Sequence, residues 1–350
     1  MFRKLFRWLR GLFTREGLPK LALILFSLSF TLVALEFAYR LLIFGPDAFS
    51  IEKMNSFHRM GYSQLVQPSD CPEMIYELVP DTHDLFKLVP FDINSRGQRD
   101  AEYPLEKPAG TFRIIVIGDS LVMGTGIALE DTFQARLEVA LNETGDANYE
   151  VINFGVAGYY LRQYAGLLTC RAQAYDPDLV IVGFYPGNDS EVPPEEFFDE
   201  PYEVKGRDYP FFFPFALREL ASTAKLKAEA RLLEAIHRTL DQPTSEESAY
   251  MTGMFNAFGA YATESGVPIL VAYLAYRSDY GVTPDELEPL TQVADLCFID
   301  LSAAFAGADP TAYRLYAIDD HPNPAANEIF ASELLAHLRQ TGLLTGGTCP

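Results

Sequence analysis

The stretch "FRIIVIGDSLVMG", residues 112–124, joins a nearly continuous apolar run to a short polar turn. The run at 112–118 ends in glycine and lacks polar alternation, which is typical of a strand buried on both faces of a sheet. Residues 130–143 follow with apolar side chains at helical spacing. A buried strand followed by a helix is the repeating unit of a parallel sheet.

The same unit recurs along the chain and predicts a five-stranded α/β domain. Further strands are expected at 149–155, 178–185, 267–274 and 297–302, and further helices at 160–175 and 323–342. The last helix has Asn323 as its expected N-cap, Pro324 at the first helical position and Gly342 as its stop. We place the domain at residues 111–342, with 343–350 as a tail.

One segment, residues 190–245, interrupts the alternation between the third and fourth strands. Residues 190–215 are rich in proline, aromatic and acidic residues, and a helical pattern follows at 217–240. The segment is either a solvated loop or a lid-like wall over the carboxyl edge of the sheet. The sequence favours neither interpretation.

The N-terminus predicts a membrane anchor. Residues 1–20 contain six basic residues and one acidic residue, and the apolar run at 21–44 is interrupted only by Glu36 and Arg40. Twenty-four helical residues span roughly 36 Å, enough to cross a bilayer. The basic flank then stays in the cytoplasm, and the extended lead-in at 45–110 and the domain lie outside it. A cleaved signal peptide is the alternative.

Charge and cysteine content restrict the classes of partner. The formal net charge is −21, which argues against nucleic-acid binding. No CxxC pair occurs, so a zinc or redox site is not expected. In an oxidising compartment Cys71 and Cys349 could pair, while Cys170 and Cys297 are expected as buried free thiols.

Polar residues follow the predicted strands at several points. Ser120 follows the first strand, Gly155 ends the second, Asn188 follows the third, and His321 lies in "YAIDDHPNPAA", residues 316–326. Parallel strands present their carboxyl ends at one edge of the sheet, where ligands bind. The set supplies a hydroxyl nucleophile, a base in His321, and three oxyanion donors in the Ser120 N–H, the Gly155 N–H and the Asn188 amide.

These blocks, in this order, resemble the SGNH (GDSL-type) serine hydrolases, in particular their membrane-anchored bacterial members. The residues that match the family's motifs are Ser120 in "GDS", Gly155 in "NFG", Asn188 in "GND" and His321 in "DDHPN". The resemblance covers about residues 84–340. It implies a flavodoxin-like three-layer α/β/α sandwich, an acyl-serine intermediate, and no metal or other cofactor.

The acid that would orient His321 departs from the family pattern. The family has Asp-x-x-His in its last block, but Ile318 stands at that acidic position, and Asp319 and Asp320 follow it. Side chains two apart on an extended segment point the same way, so Asp319 is the expected acid.

Three functions fit these residues. The first is a membrane-tethered extracytoplasmic serine esterase that cleaves O-acyl esters of envelope polysaccharides or lipids, with the bilayer contacted through residues 21–44. An O-acyltransferase would use the same residues with a sugar hydroxyl in place of water. A non-catalytic envelope scaffold that binds glycans or proteins is the third, because a fold does not guarantee a function.

Overall fold

A computed structural model describes residues 14–57, 65–143, 147–193, 245–277, 281–317 and 319–347. The predicted lid-like segment therefore lies almost wholly outside the described residues, as do Ile318 and Cys349. The N-terminal part contains α1 (Leu18–Phe44), α2 (Ile51–Ser56), β1 (Val66–Pro68), β2 (Tyr76–Leu78), β3 (Thr82–Phe86) and β4 (Val89–Ile93).

The main domain alternates strands and helices. Its elements are β5 (Thr111–Gly118), α3 (Ser120–Met123), α4 (Phe133–Asn142), β6 (Asn148–Gly155), α5 (Leu161–Cys170), β7 (Leu179–Phe184), α6 (Ser245–Ser265), β8 (Ile269–Tyr273), α7 (Pro284–Val293), β9 (Cys297–Asp300), β10 (Arg314–Tyr316), β11 (Asp319–Pro322) and α8 (Pro324–Thr341). Asn323 caps α8 by accepting from two backbone N–H groups, and Gly342 ends it with a φ of 72°.

The five long strands form one parallel sheet in the order β6-β5-β7-β8-β9. This is the flavodoxin-like order, with the first strand inside the second. Alternate residues of β5 face opposite ways: Ile115 and Ile117 pack in one core, and Ile114 and Val116 in the other. Helices α5, α6 and α7 cover the first core, whereas α4 and α8 cover the second. The predicted three-layer sandwich is confirmed.

The lead-in at 45–110 is more ordered than the extended chain that we predicted. It contains α2 and two antiparallel hairpins, β1–β2 and β3–β4. Its Arg99 is fully buried and crosses into the main domain. The lead-in therefore packs as part of the main domain.

Helix α1 is the one helix among the described residues that is long and apolar enough to cross a membrane. Its 27 residues correspond to about 40 Å. Glu36 Oε1 and Arg40 Nε, one helical turn apart, lie at 2.6 Å, so the two charges in the run neutralise each other.

The cysteine prediction was wrong. Cys71 is bonded to Cys170, which joins the lead-in to the end of α5. Cys297 is also disulfide-bonded and is not a free thiol. The error has a physical cause: we treated Cys170 as a core residue of a helix, but it lies at the exposed C-terminus of α5, where the lead-in folds back.

Candidate active site

Ser120 is the first residue of α3, immediately beyond the carboxyl end of the central strand β5. Asp119 is the N-cap, and its carboxylate accepts a hydrogen bond from the Leu121 N–H at 2.9 Å. The strand therefore ends in a tight turn that leaves the Ser120 side chain partly exposed at the edge of the sheet.

His321 reaches Ser120 from β11, the second strand of a short hairpin before α8. Its Nε2 lies 3.0 Å from Ser120 Oγ, and its Nδ1 lies 2.5 Å from Asp319 Oδ1. With the Nδ1 proton facing the carboxylate, Nε2 is left to accept the proton of the hydroxyl. The structure thus brings Ser120, His321 and Asp319 into one hydrogen-bonded chain.

Asp319 and Asp320 have different surroundings. The Asp319 side chain is 5% exposed, and Lys87 contacts its second oxygen, Oδ2. Burial alone would raise the pKa of Asp319, but the charges and hydrogen bonds of His321 and Lys87 outweigh it and hold that pKa well below its usual range. Asp320 is exposed, and its Oδ2 lies 2.9 Å from Arg277 Nη1.

The structure does not support Gly155 as an oxyanion donor. Its N–H already donates to Asn153 Oδ1 at 2.8 Å, and the residue is buried. A Cβ at this position would lie 2.1 Å from the Met123 nitrogen. Gly155 is therefore required because α3 packs directly on the backbone of β6.

Gly158, three residues further on, fits the donor role better. It is exposed, has a φ of 78°, and its N–H has no acceptor in the described part of the chain. The next residue, Tyr159, places its carbonyl 3.4 Å from Asn188 Nδ2. Both glycines lie at the carboxyl end of the second strand of the sheet, and the sequence alone does not indicate which N–H is already occupied.

Asn188 lies beside the turn that carries Ser120. The Asn188 side chain and the Ser120 N–H both interact with the Asp119 carboxylate and lower its pKa. The hydrogen bond from Asn188 Nδ2 to the Tyr159 carbonyl is long and therefore weak. The Asn188 Oδ1 is buried and has no hydrogen-bond partner in the part of the chain that the structure describes.

Two buried carboxylates lie beneath these groups. Burial raises the pKa of Asp119 to about 6, although hydrogen bonds and the nearby His321 lower it in part. Burial and the neighbouring Asp119 raise the pKa of Asp189 well above its usual value. The Tyr164 hydroxyl donates to Asp189 at 2.9 Å, and the Tyr185 N–H donates at 2.7 Å, so this acid fixes the turn that carries Asn188.

Arg99 supports the site, although its sequence context does not predict this role. Its guanidinium donates to the carbonyls of Met123, Gly124 and Ile127, the turn that follows α3. Burial lowers the pKa of Arg99 to about 10. The only signal in the sequence is an arginine in a short polar stretch, which does not distinguish burial from exposure.

Comparison with protein-family models and with curated protein sequences found no match. Several solved structures are similar at low identity. TesA is 15% identical over 65% of this chain and 98% of its own, with a TM-score of 0.42. A two-domain esterase (CEX) active on acetylated mannans is 15% identical over 69% of this chain and 52% of its own, with a TM-score of 0.43.

An acetyl xylan esterase, AlAXEase, is 14% identical over 65% of this chain and 100% of its own, with a TM-score of 0.40. A lipase, Lip_vut3 from a goat rumen metagenome, is 17% identical over 64% of this chain, with a TM-score of 0.41. The solved structures to which this chain is distantly similar thus include esterases and a lipase.

Proposed function

We propose that the protein is a serine ester hydrolase of the SGNH type. The observation that carries this proposal is the hydrogen-bonded chain from Ser120 Oγ through His321 to Asp319. A hydroxyl within reach of an imidazole that a buried carboxylate orients is the arrangement that activates serine as a nucleophile.

In the proposed reaction, Ser120 Oγ attacks the ester carbonyl while His321 Nε2 takes the hydroxyl proton. His321 then returns that proton to the leaving alcohol, and an acyl-serine remains. Water, deprotonated by His321, attacks the acyl group and releases the acid. Asp319 holds the imidazole in the required tautomer throughout and stabilises its positive charge.

We assign the oxyanion donors to the Ser120 N–H, the Asn188 amide and the Gly158 N–H, in place of Gly155. Two observations support this assignment: the Gly158 N–H has no acceptor among the described residues, and the Asn188–Tyr159 contact is long. The Ser120 N–H and the Asn188 amide currently interact with Asp119, so substrate would compete with that carboxylate. Each such donor typically contributes roughly 10²–10³ in rate.

We further propose that α1 tethers the domain to the cytoplasmic membrane by a single span, with the N-terminus in the cytoplasm. The basic residues at 1–20 favour this orientation. The disulfides are consistent with an oxidising compartment outside the cytoplasm. O-acyl esters of envelope polysaccharides or lipids are the substrate class that such a location offers.

Labelling with a fluorophosphonate probe tests the proposal, because the probe reacts with an activated serine. The full-length protein should be labelled, Ser120→Ala should not, and Ser332→Ala, which changes an exposed serine of α8, should be labelled like the wild type. Absence of a Ser120-dependent adduct on a folded protein would refute an active serine at this position.

The fate of the acyl group needs a separate measurement. Incubation with an acyl ester, with and without candidate sugars, followed by mass analysis, distinguishes release of the free acid from transfer to a sugar. We expect the free acid as the main product; predominant acylated sugar would instead assign the same site to acyl transfer.

A further inference from the structure

Lys87 occupies an unfavourable position at the tip of the β3–β4 hairpin. Phe86 pairs with Val89, so Lys87 and Leu88 form a two-residue turn. Both have positive φ, 47° and 77°. Glycine, asparagine and aspartate are the residues that favour such a turn. Lysine and leucine here are strained, and strain of this kind persists only where the surroundings fix it and is often found at functional sites.

The Lys87 side chain extends from this turn to the candidate active site. Its ammonium contacts Asp319 Oδ2, on the side of the carboxylate away from His321, and the side chain is only 18% exposed. Asp319 is thus held between an imidazole on one oxygen and an ammonium on the other. Two positions separated by 232 residues meet at this carboxylate.

The segment after the apolar helix fixes the turn from the other side. The Lys87 N–H donates to the Ser56 carbonyl, and the Leu88 N–H donates to Ser56 Oγ, both at 3.0 Å. The Lys87 ammonium also lies 4.9 Å from the centre of the Phe57 ring, within cation–π range.

An apolar cluster joins this segment to the end of α1 and to the strand beside Asp319. We call it the helix-base cluster; it consists of Phe44, Met54, Phe57 and Leu88, with Tyr316 packed against it. The Tyr316 ring lies 5.3 Å from that of Phe44 and 5.9 Å from that of Phe57. Tyr316 is also the pairing partner of Asp319 in the β10–β11 hairpin.

We propose that Lys87 is a positioning residue for the Ser120–His321–Asp319 chain and that the segment at 45–57 holds it in place. The proposal rests on the serine hydrolase function proposed above. Lys87 fixes the rotamer of Asp319 and balances its charge. The first residues beyond the apolar helix thereby become part of the structure that supports catalysis.

The charge of Lys87 beside Asp319 should affect the pH dependence of activity. A purely structural role of Lys87 would leave that pH dependence unchanged. The charged and titratable groups around Lys87 and Asp319 are Asp119 beside His321, Tyr316 beside Asp319, and Arg277 with Asp320 on the adjacent face; Asp47, paired with Lys53, acts on Tyr316. All of them remain when Lys87 is replaced. Removing the ammonium leaves an unbalanced carboxylate at the imidazole, which favours the imidazolium, so activity should require a higher pH.

The test measures kcat, KM and the pH profile of kcat/KM on p-nitrophenyl acetate with the purified full-length chain. Lys87→Met should lower kcat at least about tenfold, the equivalent of one charge-assisted hydrogen bond, and shift the acid limb to higher pH. Lys87→Arg keeps the charge and should leave the acid limb near that of the wild type. If Lys87→Met does not fold, Lys87→Gln, which keeps a donor but no charge, carries the same test.

Two matched controls come from the same segment. Lys53→Met removes an ion pair between Lys53 and Asp47 that does not touch Asp319, and it should leave the profile unchanged. Phe57→Ala should reproduce a weaker form of the Lys87→Met shift, whereas Phe49→Ala, 71% exposed in the same segment, should not.

The outcomes separate this inference from the proposed function. If the wild type is active, and folded Lys87→Met has the same kcat and the same acid limb, then the role of Lys87 is overturned. The proposed function is not affected by that result. A normal profile in Phe57→Ala overturns the role of the segment. A wild type without esterase activity or Ser120-dependent labelling refutes the proposed function itself.

Discussion

The neighbouring carboxylates Asp319 and Asp320 provide a matched pair at the scale of single residues. Asp319 is buried and bonded to His321, while Asp320 is exposed and paired with Arg277. Asp319→Asn should lower kcat by roughly 10³–10⁴, because the amide no longer holds the productive tautomer. Asp320→Asn should lower it less than about threefold, the cost of an exposed ion pair. Steady-state kinetics on a small ester measures both; a larger loss for Asp320→Asn would contradict our assignment.

Asp119 should make stability depend on pH. The folded state raises its pKa to about 6, so the folded protein binds this proton more tightly than the unfolded chain does. The stabilisation that protonated Asp119 gives the folded state is fully present below about pH 4 and is lost as pH rises through about 6. The free energy of unfolding changes by up to about 3 kcal/mol over this range.

In the wild type, the free energy of unfolding should therefore fall between pH 4 and 7. We expect this fall to be smaller in Asp119→Asn, as measured by denaturation across that pH range. The exposed Glu264→Gln on α6 is the control and should not change the slope. An equal slope in wild type and Asp119→Asn would contradict the buried, protonation-sensitive state of this carboxyl.

At the residue scale, sequence spacing was informative where it determined geometry. Asp319 lies on the same side as His321 because β11 is extended, so the two-residue spacing was sufficient. The sequence did not indicate that the Gly155 N–H is occupied, because its availability as a donor depends on Asn153, whose side chain turns back onto it. Hydrogen bonds from a side chain to a nearby backbone group compete with other partners of that group, and they leave no periodic pattern in the sequence.

At the scale of elements, the contact between α3 and β6 should be intolerant of any side chain at Gly155. Gly155→Ala would bring a methyl group against the α3 backbone, where no flexible side chain can yield. We expect a loss of at least about 2 kcal/mol in unfolding free energy. Gly253→Ala, on an open face of α6, should be neutral or stabilising by up to about 1 kcal/mol. Thermal melts compare the two, and equal melting temperatures would contradict close packing at Gly155.

The strands of the sheet were predictable because each is a continuous apolar run. Helix α7 was missed, although Thr283 and Glu286 form a capping box around Pro284 at its start, a signal that the sequence contains. Strands β10 and β11 have three and four residues, too few for periodicity to emerge. The hairpin that they form carries Asp319 and His321.

At the scale of the whole molecule, the Cys71–Cys170 bond closes a loop with a sequence separation of 99 and fixes the lead-in to the domain. The double variant Cys71→Ser/Cys170→Ser should lose about 2–5 kcal/mol of unfolding free energy, because the unfolded chain gains freedom. Denaturation with and without reductant measures the loss. Any further effect of reductant on the double variant reports the bond that contains Cys297.

That pairing could not be read from the sequence, since four cysteines allow three connectivities. The choice depends on the lead-in folding back over α5, where Tyr76 also donates to the Ala157 carbonyl. Long-range contacts of this type follow from the tertiary fold and not from local spacing.

The order of the contacts along the chain has a consequence for biosynthesis. Ser120 meets a histidine 201 positions later, and Lys87 meets an aspartate 232 positions later. A nascent polypeptide whose first helix has already left the ribosome still lacks His321 and Asp319. Under the proposed function, hydrolysis at Ser120 therefore cannot begin until these later residues have been synthesised and have folded against the end of β5.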